Sequence, residues 1–189
     1  MKIKVAELVS KVYNLLDENE TIIEERVEYG DPGAMLKPLI IDLLPDAARV
    51  CINNASPADL DDCIRVADLP VTSTPRTTIE LPADFLKLVY ICMSDWDYGV
   101  TVAMNGGSEQ HQLRMRPRKG SCHSAAAVAI RYRGEMKYLE VFGSMPGSRL
   151  KCLDYVPVPE INGKYINLPK GLVTAVCAKT AEMVKQIIM

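Results

Sequence analysis

The spacing of apolar residues changes twice along this chain, and that change restricts the fold more than any single motif. Up to about Asn54 and again beyond Pro169, apolar side chains recur every three or four positions, the period of a helix. In between they mostly alternate. Val5, Leu8, Val9, Val12, Leu15 and Leu16 give a first helix over about 5–17 one apolar stripe. The break Tyr29-Gly-Asp-Pro-Gly33 precedes a second helical region over about 34–54. Pro38 fits its first turn, whereas Pro45 predicts a kink or a split. Ser56-Pro57-Ala58-Asp59 reads as a helix start, with Ser56 as N-cap and Pro57 at the first helical position. The last helix opens at Pro169 and runs to about Ile188.

Pro70, Pro75 and the run Val71-Thr-Ser-Thr-Pro-Arg-Thr-Thr78 read as a linker. After it, residues 77–81, 86–93, 99–104, 126–132, 137–142 and 149–156 read as strands, separated by Gly, Pro and Asn turn signals. Short strands at that spacing predict a small antiparallel barrel or sandwich. Neither terminal helical segment can be buried alone, because each carries one apolar face. The expected class is therefore α+β: a helical bundle from residues 1–70 and 168–189, with an antiparallel β-barrel or sandwich inserted over 71–167.

Composition narrows the class but says nothing of chemistry. The chain has 189 residues, of which 48% are apolar and 24% charged, ordinary values for a globular domain. No run approaches the roughly 18 apolar residues of a membrane span, so no membrane contact is expected. The start, Met1 to Glu20, reads as a helix rather than a signal peptide. Six cysteines without a CxxC pair then read as free thiols of a reducing compartment.

The two histidines offer little. A site from His111, Cys122 and His123 lacks a fourth ligand at finger-like spacing, and adjacent residues on an extended chain face opposite ways. Cys122 has no recognisable orienting acid, and Gly120-Ser-Cys-His-Ser124 lacks the order of a nucleophile elbow. Asn105-Gly106-Gly107 reads as a turn, Asp59 as part of the helix start, the aspartates 61, 62 and 68 as solvated acids, and Trp96 as a barrel-mouth aromatic. No catalytic residue, metal or cofactor is expected.

Charge, in contrast, is unevenly placed. Residues 1–70 hold 14 acids and 7 bases, and residues 71–189 hold 10 acids and 15 bases. The acidic excess peaks over 17–31, where Glu24, Glu25 and Glu28 are candidates for contact between subunits. The basic excess peaks over 113–151, where Arg114, Arg116, Arg118 and Lys119 stand within six residues on an expected exposed loop over 105–124. Such polarity suits head-to-tail contact between copies, or a basic surface turned toward phosphate. No aromatic residue interleaves the arginines, so base stacking is not indicated.

The order of elements, together with Ile79-Glu-Leu-Pro-Ala-Asp-Phe-Leu-Lys-Leu88 and Tyr165-Ile-Asn-Leu-Pro169, resembles the head-to-tail connector (adaptor or ring) proteins of tailed bacteriophages, of the short-tailed or crAss-like type. In both motifs a turn is implied: Pro82 to Phe85 drops Phe85 into the β core, and Leu168-Pro169 switches strand to helix. The chain departs from the family pattern in ending at Gln186-Ile-Ile-Met189, which leaves little for a C-terminal extension onto the portal.

The resemblance implies a structural virion protein rather than an enzyme. It would be assembled in the host cytoplasm as a ring, usually of twelve copies, at the portal vertex. Its partners would be other copies of itself, the portal protein, another tail or ring protein and, transiently and without sequence preference, double-stranded DNA. The alternative is a nucleic-acid-binding accessory protein using the 114–119 loop, which the near-neutral charge and pI of about 5.8 disfavour.

Overall fold

The computed structural model describes residues 1–17, 32–60, 64–66, 69–72, 76–115 and 125–188. Its contacts divide the chain into two compact units, Met1–Asp62 with Val158–Met189, and Cys63–Pro157. The α+β class read from the sequence is the class the chain adopts.

The first unit holds the helices α1 (Val5–Asp17), α2 (Pro32–Asn54) and α4 (Val173–Ile188). The stripe expected on α1 is buried at Val5, Leu8, Val9, Val12 and Leu16. The α4 helix packs on both α1 and α2, burying Val176, Cys177, Ala181 and Val184. Thr180, also buried, donates its hydroxyl to the Val176 carbonyl at 2.7 Å, so its polar atom is satisfied within the helix.

Of the expected kink or split, the split does not occur: α2 is one helix through Pro45, and Pro38 sits in its second turn rather than its first. Pro45 removes one helical hydrogen bond, a cost of about 3 kcal/mol. Ile40 and Leu44 before it and Ala47, Ala48 and Ile52 after it are all buried, and that burial on both sides outweighs the loss. Ser56 caps a 3₁₀ turn over Pro57–Asp59, accepting from the Ala58 N–H at 3.2 Å.

A small antiparallel sheet completes this unit. The strand β1 (Lys2–Lys4) pairs with β11 (Tyr165–Asn167), which pairs in turn with β10 (Ile161–Asn162). Met1 donates its ammonium to the Leu168 carbonyl at 2.9 Å and accepts from the Leu168 N–H at 3.0 Å. Residues 158–167 therefore lie in the helical unit rather than in the β insert, because β11 pairs with β1 and, among the described residues, with no strand of the other unit.

The second unit contains two sheets over one core. One sheet has the order β2 (Ile64–Val66), β9 (Leu150–Pro157), β5 (Phe85–Met93). The other runs β3 (Val71–Thr72), β4 (Thr78–Glu80), β8 (Met136–Phe142), β7 (Ala127–Arg133), β6 (Met104–Asn105). Ile79, Leu139, Val141 and Val128 from the second sheet meet Phe85, Leu88, Ile91 and Leu153 from the first. Among the described residues no strand pairing joins the two sheets, which face each other across that core as the layers of a sandwich do. Part of the expected linker is a hairpin, β3 on β4, and the expected strand over 99–104 is reduced to one bridge, Val100 to Ile91, followed by β6. The β6 strand runs parallel to β7, an exception to the antiparallel pattern. Among the described residues no helix is long and apolar enough to cross a membrane.

Candidate interaction surface of the β unit

The outer face of the five-stranded sheet follows from its register. Glu140 lies opposite Thr78 on one side and Ala129 on the other, and Tyr138 opposite Glu80 and Arg131. Alternation then places Arg133, Met136 and Phe142 on that same face, away from Leu139 and Val141. A glutamate in the middle of an outer face would ordinarily stand in water. Glu140 is only 3% exposed, because a helix covers it.

That helix, α3 (Glu109–Met115), lies inside the expected exposed loop and corrects that expectation over those seven residues, while 116–124 lie outside the described residues. The Ser108 hydroxyl accepts from the His111 N–H at 3.3 Å, which starts the helix, and Glu109 and Arg114 stand at the ends that suit its dipole. His111, also buried, accepts from the Gly107 N–H on Nδ1 at 3.1 Å, so the proton of the neutral ring sits on Nε2. Nε2 then donates to Glu140 Oε2 at 2.8 Å, and the ring meets Phe142 edge-on. The turn leading in needs its glycines. Gly106 donates to the Ile130 carbonyl, where a Cβ would stand 2.6 Å from that oxygen, and Gly107 has φ +87°.

Glu140 is the hub of this surface. Arg76 Nη1 donates to Oε1 at 2.7 Å, and Arg131 Nη1 stands 4.0 Å from Oε2. Burial pushes the carboxyl up, but the hydrogen bonds from His111 and Arg76, with the Arg76 charge, outweigh it and hold Glu140 below its ordinary value. Acid–base chemistry is not what this arrangement offers. Both ring nitrogens of His111 are occupied, so neither faces a nucleophile as a catalytic base must. Beside the hub lies an open cleft of about 700 Å³, lined by Thr72, Arg76, Thr78, Arg131, Arg133 and Tyr138 among others. Its rim presents guanidinium and hydroxyl donors, which suit carboxylate or phosphate groups on a partner.

Of the basic residues singled out from the sequence, Arg114 ends α3 and donates to the Ala125 carbonyl at 3.1 Å. Arg116, Arg118 and Lys119 lie outside the described residues, as do Glu24, Glu25 and Glu28, and Cys122 and His123. The surface instead gathers Arg76, Arg131 and Arg133. Glu140 could have been noticed as one of two acids within the basic 113–151 stretch, but nothing in the Pro/Thr run marked Arg76. Trp96 is buried and donates from Nε1 to the Gly143 carbonyl at 3.1 Å, which makes it a core residue. Among the described residues no cluster of three His, Cys, Asp or Glu side chains could hold a metal ion. Compared with known proteins, the chain matches no family model and no curated protein.

Proposed function

We propose that the chain is a non-enzymatic structural protein of a tailed bacteriophage, forming a ring of about twelve copies between portal and tail. The observation that carries this reading is the position of the two connector-like motifs. Phe85 of the Leu-Pro-Ala-Asp-Phe motif is 1% exposed at the start of β5, after a turn closed by the Phe85 N–H to the Pro82 carbonyl at 3.0 Å. Ile166 and Leu168 of the Tyr-Ile-Asn-Leu-Pro motif are buried where β11 gives way to α4. Both motifs thus stand at turns of the chain, which is what the resemblance leads one to expect and supports the reading.

Surface character supports assembly. Tyr98, Val102, Tyr132 and Met136 stand in water on the β unit. Covering each would stabilise an interface by roughly 1.5–3 kcal/mol. In the ring, DNA passes through the lumen without lasting contact, and the portal and a further tail component meet the two ends. Light scattering and negative-stain images test the reading. Rings or ring fragments are expected. A monomer at high concentration that binds DNA in a salt-sensitive way would overturn it in favour of a nucleic-acid-binding accessory protein.

A further inference from the structure

We propose that Cys92 and Cys152 are a covalent modification site: a thiol pair that a small-molecule disulfide converts into a cross-strand disulfide between β5 and β9. The inference is independent of the ring. Both cysteines are free, and the register sets them directly opposite each other on antiparallel strands. The main chain of Ile91 is bonded on both its N–H and C=O to Val100, so the Cys92 main chain faces β9. Cys92 and Cys152 therefore occupy a hydrogen-bonded pair, whose Cα atoms stand about 5.5 Å apart. That separation lies within the range disulfides span, though the Cβ atoms of opposed strand residues must close by about 1 Å. The strand has a place to yield, because the register shifts between Cys92 and Met93.

The surroundings assign different parts to the two sulfurs. Cys152 is half-buried and open to a reagent, whereas Cys92 is buried, its thiol turned toward the carbonyls of Met93 and Trp96. Oxidised glutathione is the reagent class that fits. The Cys152 thiolate attacks one of its sulfurs, forming a mixed disulfide and releasing one glutathione thiolate. Cys92 then loses its proton to solvent and attacks the Cys152 sulfur, releasing the second. Two protein thiols are oxidised and one glutathione disulfide is reduced to two thiols. Burial, with Asp154 and Cys92 beside it, raises the Cys152 thiol above its ordinary value, against the opposing charges of Arg65 and Lys151. The first step is therefore faster in mildly alkaline buffer than at neutral pH. The strained bond is expected to reopen readily with thiol.

The full-length protein, equilibrated in oxidised glutathione, alkylated and digested with trypsin, tests this by mass spectrometry. The dominant linked species should join the peptide of residues 88–114 to that of residues 152–164, and a reducing thiol should abolish it. Cys92→Ser should lose the link and leave glutathione on Cys152. Two results would overturn the proposal: dominant links through Cys63 or Cys122, or glutathione persisting on wild-type Cys152 with no bond to Cys92.

Discussion

The Tyr155 phenol donates a 3.0 Å hydrogen bond to Asp84 Oδ1, tying the middle of β9 to the turn that precedes β5. Phe85, the next residue, stacks on the same ring with centroids 5.5 Å apart. The Leu-Pro-Ala-Asp-Phe phrase thus has two anchors on one tyrosine, an apolar one from Phe85 and a polar one from Asp84. A buried tyrosine generally requires such a partner for its hydroxyl.

Burial first, then the hydrogen bond and charge of Asp84, push the Tyr155 phenol up to about 12. A raised folded value stabilises fully below the unfolded phenol's pKa of about 10. That stabilisation is lost as pH rises through the folded value. Asp84→Asn should let Tyr155 ionise at lower pH, read as the phenolate absorbance difference against Tyr155→Phe. An unchanged titration would remove Asp84 from the account.

Glu140 titrates in the opposite sense. Its depressed carboxyl stabilises the fold above the ordinary glutamate value of about 4.3 and loses that contribution as pH falls through its lower folded value. Glu140→Ala leaves His111 Nε2 buried without its acceptor and Arg76 without its carboxylate. Arg76 is half-exposed, which tempers its share, and the expected loss is about 2–3 kcal/mol at neutral pH. Urea unfolding at pH 7 and pH 3 checks this, with the gap between variant and wild type narrowing at the lower pH.

Pro45→Ala restores a donor to α2 at a position that already has helical geometry. The folded helix gains, and the unfolded chain also gains freedom, so the net stabilisation should be about 1–2 kcal/mol. Thermal unfolding measures it. Destabilisation would mean that the ring of Pro45 fills space an alanine leaves empty.

If copies pair acidic part to basic part in the proposed ring, its assembly should respond to salt. Glu24→Lys, Glu25→Lys and Glu28→Lys together should weaken oligomers chiefly at low ionic strength, since exposed pairs contribute only about 0.2–1 kcal/mol each. Sedimentation across a salt series decides this. Equal assembly at every ionic strength would end the charge-pairing idea.

On the proposed connector reading, replacing Arg114, Arg116 and Arg118 together by serine should leave folding and ring formation intact but reduce incorporation of the adjacent component into particles. Complete particles that lose packaged DNA would instead assign these arginines to the channel.

Long elements with one apolar face were legible: α1, β5 and β8 lie within a residue of their expected places, and α4 ends where expected but starts at Val173, after a 3₁₀ turn over Lys170–Leu172, rather than at Pro169. What escaped depends on contacts distant in sequence. The seven residues of α3 carry no apolar stripe, and their anchor is His111 reaching Glu140, 29 positions away. The short β1 and β3 strands exist because β11 and β4 offer them an edge. That Pro45 does not split its helix was not legible, because local propensity leaves out the side chains that the helix buries on both sides of it. The cleft stayed hidden for a similar reason, since Arg76 meets Glu140 only after β4 pairs with β8.

The pairing of β1 with β11 sets an order on synthesis. A ribosome delivers β1 and α1 well before their partners β11 and α4, which follow the whole β unit in sequence. The β unit, continuous over Cys63–Pro157, has all its strands while the helical unit still lacks an end. The sandwich is thus free to close on the nascent chain, while the part of the α1 stripe that α4 covers stays open until α4 leaves the exit tunnel, even though α2 is already there to pack on α1. A product that stalls before α4 would carry that part exposed, where a chaperone or protease can recognise it.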